Sequence, residues 1–243
     1  MSAYGAIERS SATASPLPST VWSTRSPDEH VTVHHLREAS ADPDLVQYLA
    51  NVFIQELHEG RTYPQEGASF DSVAFKNYFL AQDLFVGIAT TLAARGHVES
   101  GADSDVVETS LRIDEARDGR SWDECVVGCY YVKPNYPGRS SHICNAGFIV
   151  PVTRRKGGYG LILGKSYVHY APKLGYKASV FNLVYANNEA SVRIWERLGF
   201  TKAGCIPQAG RLRRANGEGE EYVDAWVIYK NFVKDGLNGS TPV

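Results

Sequence analysis

The chain has 243 residues, 43% of them hydrophobic, and a formal net charge of −2. That length and apolar content suit one sizeable core rather than two compact domains. The near-neutral balance excludes a general attraction to nucleic acid or acidic membranes, and no apolar run approaches the ~20 residues of a membrane span.

Residues 1–30 read as a disordered tail, 31–235 as one domain and 236–243 as a second, short tail. Met1 to about Pro27 is rich in Ser, Thr, Ala and Pro and has no hydrophobic stretch of the kind a secretory signal carries. Its arginines, Arg9 and Arg25, are few, and Glu8 interrupts them. A cytoplasmic location is therefore expected ahead of a mitochondrial one, which stays open. Val31–Leu36 has the apolar character of a first strand. Asp42-Pro43 then opens a helix, with a capping carboxylate, Pro in the first turn, apolar Leu45, Leu49, Val52, Phe53 and Leu57, and Gly60 to stop it. Arg61 to Gln65 is a loop, about Phe70 to Leu80 a second helix, and Leu84 to Thr91 a strand.

From about residue 95 to 121 the sequence turns polar and acidic and reads as an inserted surface loop, or a strand tip with disorder. Cys125 to Lys133 resumes the sheet, Pro134 to Gly138 turns it, and Ser141 to Val150 runs back as a strand. Tyr176 to Tyr185 is a near-continuous apolar strand, as in the buried middle of a sheet. Thr201–Pro207 and Tyr222–Tyr229 read as a strand pair flanking a charged loop, Arg211 to Glu221. Cys125, Cys129, Cys144 and Cys205 have neither metal-ligand spacing nor the density of a disulfide scaffold, so free thiols and no metal are expected.

The chemistry is concentrated after Val150. Arg154, Arg155 and Lys156 bring cations; Gly157, Gly158 and Gly160 bring backbone that turns without a Cβ in the way. Leu161, Ile162, Tyr167 and Val168 then carry a helical pattern towards Leu174. Strand, basic glycine turn and helix start together make an anion cradle, because the first N–H groups of a helix lack internal partners and its dipole favours negative charge. An ordinary left-handed turn is the competing reading. Downstream, Asn187 or Asn188 can cap a short helix that carries Val192 and Trp195 on one face and ends at Gly199.

Arg155-x-x-Gly158-x-Gly160, followed by Asn188, a helix and Leu198-Gly199-Phe200, resembles the cofactor motifs of the GNAT superfamily of acetyl-CoA-dependent N-acetyltransferases. The resemblance implies an α/β fold whose mixed, mostly antiparallel sheet splays two central strands, here Asn145–Val150 and Tyr176–Tyr185. It implies acetyl-CoA as co-substrate, held by Phe148, Val150, Arg155, Lys156, Gly157, Gly158, Tyr159, Gly160 and Asn188. Trp195 stands where many members carry a proton-donating Tyr, and an indole cannot fill that role; the Asn145 strand offers no Asp or Glu as base. Ordered water, or an Asn that only orients, is left to manage the protons.

Tyr63-Pro64-Gln65, Tyr131 to Tyr136, Cys144 to Phe148, Tyr170 to Lys177 and Phe181 to Val184 narrow the match. They look like the fungal branch that detoxifies azetidine-2-carboxylate and related proline analogues, with stress tolerance as the benefit. That branch implies direct transfer in a ternary complex to a small cyclic amino acid. Asn145 would hold its carboxylate, Asn182 and Leu183 would bind it from the opposite strand, and Asn182 and Asn188 would assist the chemistry. Neutral amides suit such a substrate, since a carboxylate beside it would repel it. Asn145 and Asn182 could equally satisfy strand-end backbone. Core is the default for Tyr63, Tyr131, Tyr136, Tyr185 and Trp195, exposure for His142, and a solvated loop for Arg211, Arg213 and Arg214, ahead of a contact with the cofactor's 3′-phosphate. A homodimer is expected only by analogy. Another small amine, a protein N-terminus, or a non-catalytic acyl-CoA-binding module are the competing functions; a polyamine is disfavoured because the two motif strands hold no carboxylate.

Overall fold

The computed structural model describes residues 15–38, 41–66, 70–91, 98–99 and 106–233. The strands are β1 (Ser19–Ser23), β2 (Glu29–Leu36), β3 (Asp83–Thr91), β4 (Val98–Glu99), β5 (Val107–Thr109), β6 (Val126–Pro134), β7 (Ile143–Ile149), β8 (Ala178–Tyr185), β9 (Thr201–Arg213) and β10 (Glu220–Asn231). The helices are α1 (Pro43–Glu59), α2 (Ser72–Phe79), α3 (Ile113–Arg117), α4 (Trp122–Cys125), α5 (Tyr159–Lys173) and α6 (Glu189–Arg197). The strands form one sheet in the order β4-β5-β1-β2-β3-β6-β7-β8-β10-β9. Every pairing is antiparallel except β7 with β8. This is the mixed, mostly antiparallel α/β sheet expected of a GNAT fold.

Both faces of the sheet are covered, so its central strands are apolar on both sides. In β3, Leu84, Val86 and Ile88 pack with Leu45, Leu49 and Phe53 of α1 and with Phe75 and Phe79 of α2. The alternate residue Phe85 packs on the other side with Leu163, Tyr167 and Tyr170 of α5. Neighbouring Tyr131 and Tyr130 of β6 divide between the same two cores, as a period of two requires. Phe53 is fully buried and rings with Tyr63, Phe70 and Phe79 at 4.9–5.0 Å; truncating such a side chain to Ala costs about 3–5 kcal/mol. Helix α1 starts and stops where the sequence indicates. Asp42 accepts the Asp44 and Leu45 N–H groups (2.7 and 3.2 Å), and Gly60 ends the helix at φ 65°.

Three expectations are corrected. Residues 1–14 of the expected tail over 1–30, and the expected tail at 236–243, lie outside the described residues, but residues 19–23 form strand β1, antiparallel to both β2 and β5. Its polar residues find tertiary partners: Ser19 Oγ lies 2.9 Å from His34 Nδ1, and Thr20 Oγ1 receives Trp22 Nε1–H at 2.8 Å. The Tyr170 hydroxyl of α5 reaches the Pro18 carbonyl at 2.8 Å. The expected surface loop at 95–121 lies partly outside the described residues, yet its described part holds β4, β5 and α3. Leu111, Ala116 and Trp122 are buried, and Arg120 ties the segment to the Ala89 carbonyl of β3 (2.8 Å). Finally, the charged loop expected at Arg211–Glu221 shrinks to a tip, since β9 and β10 continue their ladder to Arg213 and Glu220. Arg211 bridges Glu66 and Glu220, at 3.1 Å each.

Among the described residues no helix is long and apolar enough to cross a membrane, and no cluster of His, Cys, Asp or Glu is arranged to hold a metal.

Candidate active site

Strands β7 and β8 pair only at Ile143–Ala178 and Cys144–Ser179; beyond that point they part. β8 stays paired to β10 on its far side, and β7 to β6, so the gap opens between them. Asn135 N–H bonds the Ile143 carbonyl at 2.8 Å. By antiparallel alternation, Asn145, Gly147 and Ile149 also turn their backbone bonds to β6. The N–H and C=O groups of Ala146, Phe148 and Val150 therefore face the opening. A cleft of about 1430 Å³ runs through it, lined by β7, β8, the C-terminal end of α1 and the N-terminal ends of α5 and α6.

At one end of the cleft lies the glycine loop. Lys156 and Gly158 have φ of 66° and 88°, a reversal that aims the start of α5 into the cleft. The first helical bond runs from Leu161 N–H to the Gly158 carbonyl (3.1 Å). The N–H groups of Gly158, Tyr159 and Gly160 precede it and are available to an anion. A Cβ on Gly160 would stand 3.2 Å from Ile194, so this glycine lets α6 come close. These features fit the pyrophosphate of acetyl-CoA. The side chains do less than the motif suggests. Arg155 forks onto Glu56 (2.5 Å) and Glu59 (2.8 Å) of α1, and the Tyr159 hydroxyl donates to Glu29 (2.7 Å). Arg155 thus ties the loop to α1, leaving anion contact here to the backbone and to Lys156, which lines the cleft. One cation is added instead: exposed Arg25, just after β1, lines the cleft beside Gly158, with Nη1 donating to the Lys156 carbonyl (3.4 Å).

At the other end, three amides meet. Asn135, buried at the end of β6, gives Nδ2–H to Asn182 Oδ1 (3.1 Å) and accepts Asn182 Nδ2–H (2.8 Å) and Asn145 Nδ2–H (2.9 Å) on its own Oδ1. Asn145 Oδ1 is buried with no hydrogen-bond partner among the described residues. Leu183 beside Asn182 is exposed. Asn188 caps α6, its Oδ1 accepting Ser191 N–H (3.2 Å). Trp195 gives its indole N–H to Ser191 Oγ (3.0 Å) and packs on Phe148. The Tyr63 hydroxyl donates to the Phe148 carbonyl (2.9 Å), so Tyr63 shapes the cleft as well as joining the core. His142 is exposed on the Arg139 carbonyl (3.1 Å) and does not line the cleft. Tyr131, Tyr185 and Trp195 are buried, as expected of core residues.

The charges lining the cleft are unequally matched. Its carboxylates, Glu56, Glu59 and Glu189, all carry arginine partners, Glu189 taking Arg193 at 2.6 Å. Burial pushes the Tyr63 and Tyr131 phenols well above their ordinary values, which keeps both neutral. Lys133 Nζ stands over the Tyr78 and Tyr131 rings, 4.1 and 4.2 Å from their centres, and burial pulls its pKa down to about 8. Sequence reasoning missed Asn135, Lys133 and Arg25 as site residues. They fell in a turn, at a strand end and in a supposed tail.

The sequence profile of the Acetyltransferase (GNAT) family matches residues 104–200. The chain is 41% identical over 189 residues to N-acetyltransferase aca1 of Schizosaccharomyces pombe, covering 78% of this chain and 81% of that protein. Its fold is similar to a GCN5-related N-acetyltransferase from Kribbella flavida (TM-score 0.59, 20% identity, 82% and 97% of the two chains). It is also similar to YncA of Salmonella typhimurium, a putative acetyltransferase solved with acetyl-CoA (TM-score 0.58, 13% identity, 86% and 99%). The chain belongs to the GNAT acetyltransferase family. It is an acetyl-CoA-dependent acetyltransferase.

Proposed function

We propose that the enzyme acetylates the nitrogen of a small cyclic amino acid, azetidine-2-carboxylate or a related proline analogue, by direct transfer in a ternary complex. The observation that carries this reading is the Asn135–Asn145–Asn182 cluster at the mouth of the fork. It offers neutral donors and acceptors where an amine and an α-carboxylate must sit together, and the cleft's carboxylates are already neutralised. A polyamine would find no free negative charge there. When bound, acetyl-CoA supplies the activated acetyl group. The residues proposed to hold it are the backbone of Phe148, Val150 and Gly157 to Gly160, with Lys156 and Asn188.

The chain's own part is to place the nitrogen. Asn145 and Asn182, from opposite arms of the fork, are positioned to hold the acceptor, with Leu183 backbone beside them. Asn145 spends one amide hydrogen on Asn135 and keeps Oδ1 and the second hydrogen for the ligand. Its carbonyl suits the amine N–H at least as well as its N–H suits a carboxylate. The cleft's carboxylates are held by arginines and burial keeps the Tyr63 and Tyr131 phenols neutral, so the amides align the nitrogen lone pair and solvent takes the proton.

Asn145→Ala is expected to raise KM for the amino acid and spare kcat, because the lost contacts are shared by ground and transition states. A fall in kcat alone contradicts that role. Initial rates with both substrates varied test the ternary complex: intersecting double-reciprocal lines are expected, and the parallel lines of an acetyl-enzyme route overturn it.

A further inference from the structure

Lys133 lines the cleft, and among the described residues it has neither ion pair nor hydrogen bond; its recorded contacts are the faces of Tyr78 and Tyr131. Such ring contacts only partly offset the cost of withdrawing an unpaired ammonium from water. A half-buried, unpaired cation in a cleft wall is therefore short of a counter-charge that the protein does not supply. The ring faces favour the charged form and fix its position.

Its position says which ligand group that is. Lys133 is the register partner of Asn145 across β6 and β7. Cross-strand partners point to the same face, so Lys133 shares a face of the sheet with the amide whose Oδ1 lacks a partner. The glycine loop that fits the cofactor's pyrophosphate lies beyond Pro151, past the far end of β7 from Lys133's partner Asn145. Both lining carboxylates of α1 are bound to Arg155.

We propose that Lys133 is the anchor for the acceptor's carboxylate, making the acceptor an amino acid rather than a neutral or cationic amine. This rests on the reading of the cleft as an amino-acid site. It divides the labour at the fork: Lys133 takes the carboxylate, and Asn145 and Asn182 turn to the nitrogen.

The test compares azetidine-2-carboxylate and proline, and the acyclic amino acids alanine and serine, with their carboxamides, in the wild-type enzyme and in Lys133→Met and Lys133→Arg. Lys133→Met is expected to raise KM for the acids about tenfold or more while moving amide kcat/KM and the acetyl-CoA KM less than about twofold. Lys133→Arg, which keeps the charge, should retain the preference for acid over amide. Equal loss on acid and amide in Lys133→Met would reduce Lys133 to packing and overturn the proposal. So would wild-type enzyme that uses carboxamides as well as acids. If only acyclic acids are acetylated, with a Lys133-dependent preference, the anchor stands and the cyclic-substrate reading falls.

Discussion

Asn135 and Asn182 bond each other in both directions, at 3.1 and 2.8 Å, across the point where β7 and β8 separate. Neither amide can turn without breaking two bonds, and Asn145 leans on the same Asn135 oxygen. A residue at the end of β6 thus sets the angle of two side chains on the facing arms of the fork.

Asn135→Ala should lower kcat/KM for the amino acid about 10- to 100-fold, roughly 1.4–2.7 kcal/mol, by releasing both amides. The acetyl-CoA KM should hold, because the loop lies at the other end of the cleft. Steady-state kinetics with each substrate varied would show it; a rise in the acetyl-CoA KM alone would contradict the assignment.

Gly158→Val should abolish acetyl-CoA binding. A branched side chain at φ 88° strains the backbone by about 1–3 kcal/mol and fills the space before the first free N–H groups. Calorimetric titration would report it, and unchanged affinity would remove the loop from the cofactor site.

Arg25→Gln should weaken acetyl-CoA binding several-fold with little change in kcat, since Arg25 adds charge beside Gly158 without approaching the amide cluster. The difference between wild type and variant should shrink as salt rises. A salt-independent difference would mean that Arg25 acts by packing.

The part of the acid-over-amide preference that Lys133→Met removes should fall as pH rises through about 8, to which burial lowers the Lys133 pKa. Below that pH the ammonium is charged and attracts the carboxylate; above it the attraction fades. The titratable side chains recorded against its ammonium are Tyr78 and Tyr131, and burial keeps Tyr131 neutral through this range. Because an amino acid's ammonium is more basic than its carboxamide's, the kcat/KM ratio for acid and amide is divided by the same ratio in Lys133→Met, which cancels that difference. A flat ratio would contradict the expectation.

The parts of the fold with local signals were legible in the sequence. Asp42 and Gly60 bracket α1, the cap of α6 falls on Asn188, one of the two candidates, and the glycine turn does open α5. Strand β1 was not legible, because Ser19 and Thr20 are polar and are satisfied by His34 and Tyr170, partners distant in sequence. The apolar anchors Leu111 and Trp122 were similarly outweighed by the acidic residues around them. Asn135 looked like any turn residue, since its value lies in reaching Asn182, 47 positions away. Arg155 matched a motif, but nothing local reveals that Glu56 and Glu59 claim its guanidinium. Lys133 needed the register with Asn145 before its charge had meaning.

The most direct measurement is thiol release from acetyl-CoA, with the acetylated product identified by mass, across azetidine-2-carboxylate, proline, 4-hydroxyproline isomers, spermidine and a peptide with a free N-terminus. Acetylation confined to the cyclic amino acids is the expected result. Turnover of spermidine or the peptide, or acetyl-CoA binding with no acceptor acetylated, would contradict it.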